Sequence, residues 1–501
     1  MFTHVLFYKI NKKIKNSMIS ALHINATYSV GGAASVMGRL VSSMHRYDVV
    51  SKILAGDEKS KNHALQIEKA FGGLFSYCLW RGLLDYQIQK SHHLFAHPLI
   101  READILHFHN LHGGYFNLWS LPLLSALKPA VWTLHDMQAL TGHCAHSLEC
   151  RRWLPDTGCG NCPHLDTYPG LRRDATRRLW QDKRTIYAHS SLYLVTPSVW
   201  LQRLVAKSVL GEQPLVCIPN GADTTVYRPQ DKAAARRLLG IPQDVVLVGG
   251  CAVGGVNSPW KGGAFALSTI LELKKHFPNL HFLNIGVKEA PSEFDNADWV
   301  HQIPYVHEPA QLARLYAALD LLLYPSVADN HPLVCIECLC CGTPVAGFAT
   351  GGVPEIVRHG EDGLLVTPRD GASLTKAAIL LLQDGSFRER MAREIAVGAA
   401  QRFNLDIFAQ RYKKVYEEML HMPRSLEKSR LPMSGIPALI KSPGFMRQEW
   451  RKYGHPSLRQ RLELLFNSIK GSICVAFAVA AGWPVQAART LRSVCFRYRK
   501  R

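Results

Sequence analysis

The chain has 501 residues, 47% apolar and 20% charged, which excludes a disordered polymer and calls for two or three domains. Thirteen cysteines and no secretory leader pattern point to a reducing compartment, with the thiols buried or on metal. The formal charge of +20 is uneven: residues 424–501 hold 16 Lys or Arg against three Glu, which implies a polyanionic partner for that end.

Residues 1–17, with Lys9, Lys12, Lys13 and Lys15, read as a basic arm or as an upstream extension before Met18. Apolar strands then alternate with amphipathic helices, the pattern of a doubly wound parallel sheet. Strands are expected at Ile19–Ile24, Val49–Leu54, Asp104–His109, Ala130–Leu134, Leu192–Thr196 and Leu215–Ile218. Gly31-Gly32 opens a helix to about His45, and a long helical stretch is expected between Leu65 and His97. These elements make a first domain over 18–222. The polar, Pro-containing run from Ala222 to about Pro242 reads as a linker.

A second α/β domain over 243–404 begins with strand Val245–Gly250 and a helix from Gly262. Strands His281–Ile285 and Trp299–Ile303 and a helix over Pro309–Leu319 follow. Leu321–Pro325 reads as a buried parallel strand, which places Asp329 in the loop where open α/β sheets hold their ligands. With seven residues between, Glu337 follows on a short helix stopped by Gly342-Thr343-Pro344. Strand Pro344–Phe348 then leads to Gly351-Gly352-Val353-Pro354-Glu355, a glycine pair at a helix start suited to phosphate. Two carboxylates beside a phosphate cradle suit a sugar nucleotide. A last strand, Gly363–Val366, precedes helices that end with one over residues 405–421.

Asp329, seven residues, Glu337, then C-G-T-P-V and G-G-V-P-E resemble the donor-binding signature of family-4 retaining glycosyltransferases. Asp329 stands where most of that family has Glu, and Cys340-Cys341-Gly342 replaces Ala-Cys-Gly. The resemblance covers about residues 18–421. It implies an α/β GT-B fold, two Rossmann-like doubly wound domains facing a cleft, with helix 405–421 crossing back onto the first.

It further implies a nucleotide-diphosphate sugar as donor and no catalytic metal. Lys261 matches the lysine on the diphosphate, while the arginine usual a few residues earlier is missing between Gly249 and Lys261. Asp329 is expected on the donor sugar hydroxyls and Glu337 on the ribose. Gly351 and Gly352 are expected beside the phosphates, with Glu355 supporting that loop. In the first domain Gly31 and Gly32 match the loop that approaches the donor. His135 matches a histidine beside the donor sugar, and His109-Asn110 ends a neighbouring strand.

Cys144, Cys150, Cys159 and Cys162 form a Cys-rich insertion over 143–164 that resembles a zinc knuckle. Structural zinc is the expectation, with reduced thiols and disulfides as alternatives. This insertion, the phrase W-T-L-H-D-M-Q-A-L-T-G-H-C before it and T-P-S-V-W-L after it resemble colanic-acid-type exopolysaccharide glycosyltransferases. That branch implies a polyprenyl-diphosphate-linked oligosaccharide acceptor at the cytoplasmic face of the membrane.

The tail, 425–501, flanks the apolar run Ile473–Ala481 and Trp483 with basic residues. It suits a helix lying on an anionic membrane surface, or else a loosely docked basic tail. Nucleic acid is not an expected partner, since no stacking platform or binding motif supports it. Two other functions fit the same pattern: a GT-B sugar-nucleotide epimerase, and a degenerate, non-catalytic sugar-nucleotide-binding subunit of a polysaccharide assembly. The missing arginine and Asp329 keep the latter open.

Overall fold

The structure, a computed structural model, describes residues 18–56, 78, 80–86, 88, 90–252, 260–287, 292–294 and 297–422. The expected arm at 1–17, most of the helical stretch from Leu65, the Gly254-Gly255 loop and the tail lie outside the described residues. Two six-stranded sheets, each wholly parallel, carry the molecule.

The first sheet runs β2-β1-β3-β4-β5-β6. Its strands are β1 (Ile19–Asn25), β2 (Val49–Ala55), β3 (Ile105–Phe108), β4 (Ala130–Thr133), β5 (Tyr193–Thr196) and β6 (Leu215–Cys217). Every residue of β3, β4 and β5 is buried, as both-face cover by helices requires. Helix α1 (Gly32–Met44) starts at Gly31, whose φ of 92° favours glycine although a Cβ there would meet no atom. Helices α2 (Pro98–Glu102), α3 (Leu121–Leu127), α4 (Thr176–Ala188) and α5 (Val199–Ala206) complete this half. The described end of the expected long helix, Lys90–Ala96, is instead 3-10 helical.

The second sheet runs β12-β11-β10-β7-β8-β9. It comprises β7 (Val246–Cys251), β8 (Leu280–Ile285), β9 (Val300–Ile303), β10 (Leu321–Tyr324), β11 (Val345–Phe348) and β12 (Gly363–Val366). Its helices begin with α6 (Lys232–Leu238), inside the stretch read as a linker. That reading is corrected: Tyr227, Ala235 and Ile241 belong to the second domain's core. Polarity misled because Arg236 is itself buried, bonding Asp320 at 2.7 Å and the carbonyls of Ala318, Gln243 and Val245. The domain therefore starts well before residue 243. Helices α7 (Gly263–His276), α8 (Pro309–Ala318), α9 (Leu333–Cys340), α10 (Val353–Ile356), α11 (Gly371–Gln383) and α12 (Gly385–Arg402) follow.

Helix α13 (Leu405–His421) returns to the first domain. Leu405, Phe408, Ala409, Tyr412, Val415, Tyr416 and Met419 repeat at helical spacing and join a core with Val36 and Leu40 of α1 and with Ala21, Ile105, Val131 and Val195 of the sheet. Asn404 caps its start through Asp406 N and Ile407 N. The outgoing and returning crossings touch, Ala222 N donating to Phe403 O at 2.8 Å. Gly221 has no Cβ because one would lie 2.9 Å from that of Phe408.

Among the described residues no helix is long and apolar enough to cross a membrane. Phe408→Ala should destabilise the protein by about 3–5 kcal/mol, the usual cost of deleting a buried aromatic. Urea denaturation measures it, and a cost below about 1 kcal/mol would mean α13 is not part of the first domain's core.

Candidate active site between the two sheets

In the first sheet the direction of strand addition reverses between β1 and β3, in the second between β7 and β10. Carboxyl ends of strands at such switch points form crevices. Here the two crevices face each other across a cleft of about 300 Å³. Gly31, Gly32, His135 and Asn220 line it from the first domain, and Lys261, Tyr316, Asp329 and Glu337 from the second.

Lys261 forms an ion pair with Asp329, which also accepts from the Tyr324 hydroxyl and from Asn330 N at 3.0 Å. Burial alone would raise the Asp329 carboxyl, but Lys261 and these donors outweigh it and hold it below its ordinary value. Asp329 is thus ionised and fixed. Glu337, on α9, is 4% exposed, and burial pushes its carboxyl up although Arg39 opposes the shift. Arg39 reaches it from α1, crossing between the domains, and also donates to Gly221 O at 2.9 Å. The phenols of Tyr316 and Tyr227 lie against the same carboxylate. Arg39 is therefore committed to Glu337 across the domain boundary.

Further contacts close the cleft. Asn330 donates to His135 O at 3.1 Å and accepts from the Ser198 hydroxyl at 2.5 Å. Asn220 donates to His331 O at 2.9 Å. Glu355 accepts from Val199 N and Trp200 N, each at 2.7 Å, at the positive end of α5. Glu355 does not line the cleft; it ties the second domain to a helix of the first.

Gly351 and Gly352 do not line the cleft either, and α10 behind them has four residues. A Cβ on Gly351 would stand 1.9 Å from Asp329 O, and one on Gly352 2.1 Å from Asn330 O. The expected phosphate cradle is thus a packing site: the pair lets this loop run against the backbone of the acidic loop.

His135 ends a row of imidazoles crossing the first sheet. Its Nε2 lies 3.0 Å from His109 Nδ1, His109 Nε2 lies 3.2 Å from His23 Nδ1, and His23 Nε2 lies 3.3 Å from Ser51 Oγ on edge strand β2. His107 bonds Tyr416 of α13 at 2.7 Å and Thr133 at 2.8 Å. The ligand atoms of His23, His107 and His109 lie within 4.8 Å of one another. All six ring nitrogens are hydrogen-bonded, so the trio is a network and not an open ligand shell. Burial lowers His23 to about 3; His135 falls to about 4 through burial despite the opposing charge of Asp136. His107 and His109 are also lowered well below the ordinary histidine value, by burial first and neighbouring imidazoles second.

The sulfurs of Cys144, Cys150, Cys159 and Cys162 are free thiols, and among the described residues they form no set gathered within 4.8 Å. Burial pushes the Cys144 thiol up to about 11 and the Cys159 thiol up to about 12, and Cys162 Sγ lies 3.5 Å from His143 Nε2. Other bonds hold the insertion. Trp180 Nε1 donates to Trp153 O at 2.9 Å and Trp153 Nε1 to Cys150 O at 3.0 Å. Buried Lys183 donates to Thr141 O at 2.9 Å. Sequence spacing missed Arg39, Asn220 and Ser198, which lie in ordinary helical or turn sequence. Only Asn330, next to Asp329, had a signal beside it.

Residues 249–384 match a family described as Glycosyl transferases group 1. The second domain carries that match. A D-inositol 3-phosphate glycosyltransferase of Acidothermus cellulolyticus is 31% identical over 258 residues, 48% of this chain and 56% of that protein. The corresponding Corynebacterium aurimucosum protein is 25% identical over 346 residues, 65% of this chain and 74% of that protein. The chain spans about half the length of the first curated relatives it matches. Sucrose-phosphate synthase from Thermosynechococcus elongatus superposes with a TM-score of 0.60 at 17% identity, over 80% of this chain and 99% of that one. Anabaena HepE, solved with UDP-glucose, gives 0.54 at 17%, over 80% and 100%. These likenesses establish the GT-B fold for this chain.

Stability should depend on the imidazole row. Its members are neutral when folded and take up protons once unfolded, so their stabilisation is full above about pH 6.5 and is lost as pH falls toward 4. Each neutral histidine adds a slope of about 1.4 kcal/mol per pH unit within that window. Unfolding free energy at pH 7, 6 and 5 tests this, with His23→Gln expected to flatten the slope. A pH-independent value would refute burial of the row.

Proposed function

We propose that the protein is a retaining, metal-independent glycosyltransferase that moves a sugar from a nucleotide diphosphate to a lipid-linked glycan in exopolysaccharide or capsule synthesis. The observation that carries this reading is the convergence of His135, Lys261 and Asp329 at facing carboxyl ends of two sheets. Support also comes from the group 1 match over 249–384 and from HepE, whose solved complex holds UDP-glucose.

In this reading Lys261 meets the leaving diphosphate, with the backbone of Gly31-Gly32 opposite it. Asp329 fixes the sugar hydroxyls and Glu337 accepts from the ribose. The acceptor hydroxyl oxygen bonds to the anomeric carbon from the face the diphosphate leaves. The carbon–oxygen bond to the β-phosphate breaks, the acceptor proton passes to a β-phosphate oxygen, and nucleoside diphosphate departs. His135, neutral and tethered to His109, stays beside the sugar as a hydrogen-bond partner. Both acids are ion-paired before substrate arrives, so ribose binding has to share Glu337 with Arg39.

The basic tail, outside the described residues, is proposed to hold the protein on the anionic inner face of the cytoplasmic membrane. Deleting 425–501 should leave activity on a soluble acceptor intact and abolish flotation with anionic liposomes; continued flotation would reject the tail as anchor.

UDP, GDP and ADP at millimolar concentration test the donor site by thermal shift. A nucleotide at about 100 times its Kd adds about 2.7 kcal/mol of stability. One nucleotide should raise Tm in the wild type and lose at least tenfold in affinity in Glu337→Gln, roughly the worth of a charged hydrogen bond. The Gln variant is preferred to Ala because it keeps a partner for buried Arg39. No shift with any nucleotide in folded protein would favour the non-catalytic reading.

A further inference from the structure

A second cavity, of about 260 Å³, opens beside the cleft. The residues lining both are His135, Lys261 and Asp329. A group bound in the second cavity therefore meets a group bound in the cleft at those three side chains.

The walls differ in kind from those of the cleft. Tyr168, Trp200 and Trp260 supply aromatic surface, and Asp136, His146 and Asn330 supply polar atoms. Tyr168 is 57% exposed. His146 stacks on Trp200 with centroids 5.5 Å apart and planes 13° apart, which fixes the indole. His146 Nε2 is buried and has no hydrogen-bond partner among the described residues, a cost that a ligand hydroxyl would relieve.

Charge narrows the ligand. Lys261 is the basic chain of the Lys or Arg type on this wall, and Asp329 already holds it. Asp136 is balanced by His112 at 2.9 Å. Burial keeps His135 and His146 below their ordinary values and thus neutral. No uncommitted cation among these described residues would receive a phosphate. Flat apolar rings beside hydroxyl-binding groups suit a sugar, whose ring has an apolar C–H face and a polar rim.

We propose that this second cavity is the acceptor subsite and that it takes one neutral pyranose ring, stacked against Trp200 and Tyr168. The proposal rests on the donor reading of the cleft. It gives the Cys-rich insertion and its flank a task, since Ala145, His146, Thr167 and Tyr168 build one side of the subsite. A hydroxyl of the bound ring then faces the wall where the anomeric carbon lies.

Saturation-transfer NMR tests it on the full chain, with UDP and the methyl glycosides of glucose, galactose, mannose and N-acetylglucosamine, and with D-inositol 3-phosphate as the anionic comparator. At least one methyl glycoside should receive saturation at its ring C–H protons. That signal should weaken about tenfold in Trp200→Ala and in Tyr168→Ala, the upper range for an aromatic contact, while the UDP signal persists. Tyr168 is exposed enough for its replacement to leave folding intact. Glycoside signals equal in wild type and both variants, or binding of D-inositol 3-phosphate alone, overturn the subsite. So does a UDP signal with no glycoside signal, which leaves the donor reading standing. Absence of both signals removes donor site and subsite together.

Discussion

Asn330 is the contact on which the geometry of this molecule turns. Its amide holds the His135 carbonyl of one domain while its oxygen takes the Ser198 hydroxyl of the same domain. The residue before it is Asp329, so the acid is brought to the cleft by the very loop that joins the halves. Both partners are short polar groups with little freedom, and burial makes each bond costly to lose. Arg39 on Glu337 and Glu355 at the head of α5 repeat the arrangement at either side. Each acid or amide from the second domain finishes a hydrogen bond that the first domain leaves open.

The chain reinforces this closure by crossing between domains at one place. Ala222 and Asn404 lie side by side, so both connections bend at one point and the domains cannot separate by sliding. Helix α13 then buries its apolar face on the first sheet and its Tyr416 hydroxyl on His107. The imidazole row thus touches the crossing helix at one member and the cleft at another. Neutral imidazoles suit such a position, because each can donate at one nitrogen and accept at the other without placing charge in the core.

Two carboxylates with seven residues between them therefore end in different environments. Asp329 is stabilised as an anion by Lys261 and Tyr324, whereas burial raises Glu337 in spite of Arg39. Lys261, already paired with an acid, is held in place before any ligand arrives. This restricts its motion and lowers the ordering cost of binding. The aromatic cavity on the other side of that ion pair has no comparable charge to offer, so the two cavities differ in chemistry.

The sequence by itself determined most of the scaffold. Four-residue apolar runs such as Leu321–Tyr324, bounded by Asp320 and Pro325, suit a strand buried on both faces, and helical spacing over residues 405–421 fixes one apolar face. Asp329 and Glu337 were legible because their separation, the Gly-Thr-Pro turn and the following strand are local features. What only the tertiary structure decided is which groups meet. Arg236 looked like linker polarity until Asp320 paired with it, and Gly351 and Gly352 proved to be spaces for another backbone. Arg39 lies 298 residues from Glu337. No local pattern encodes such a pair, because its energy comes from desolvation and geometry that exist only once both sheets are in place.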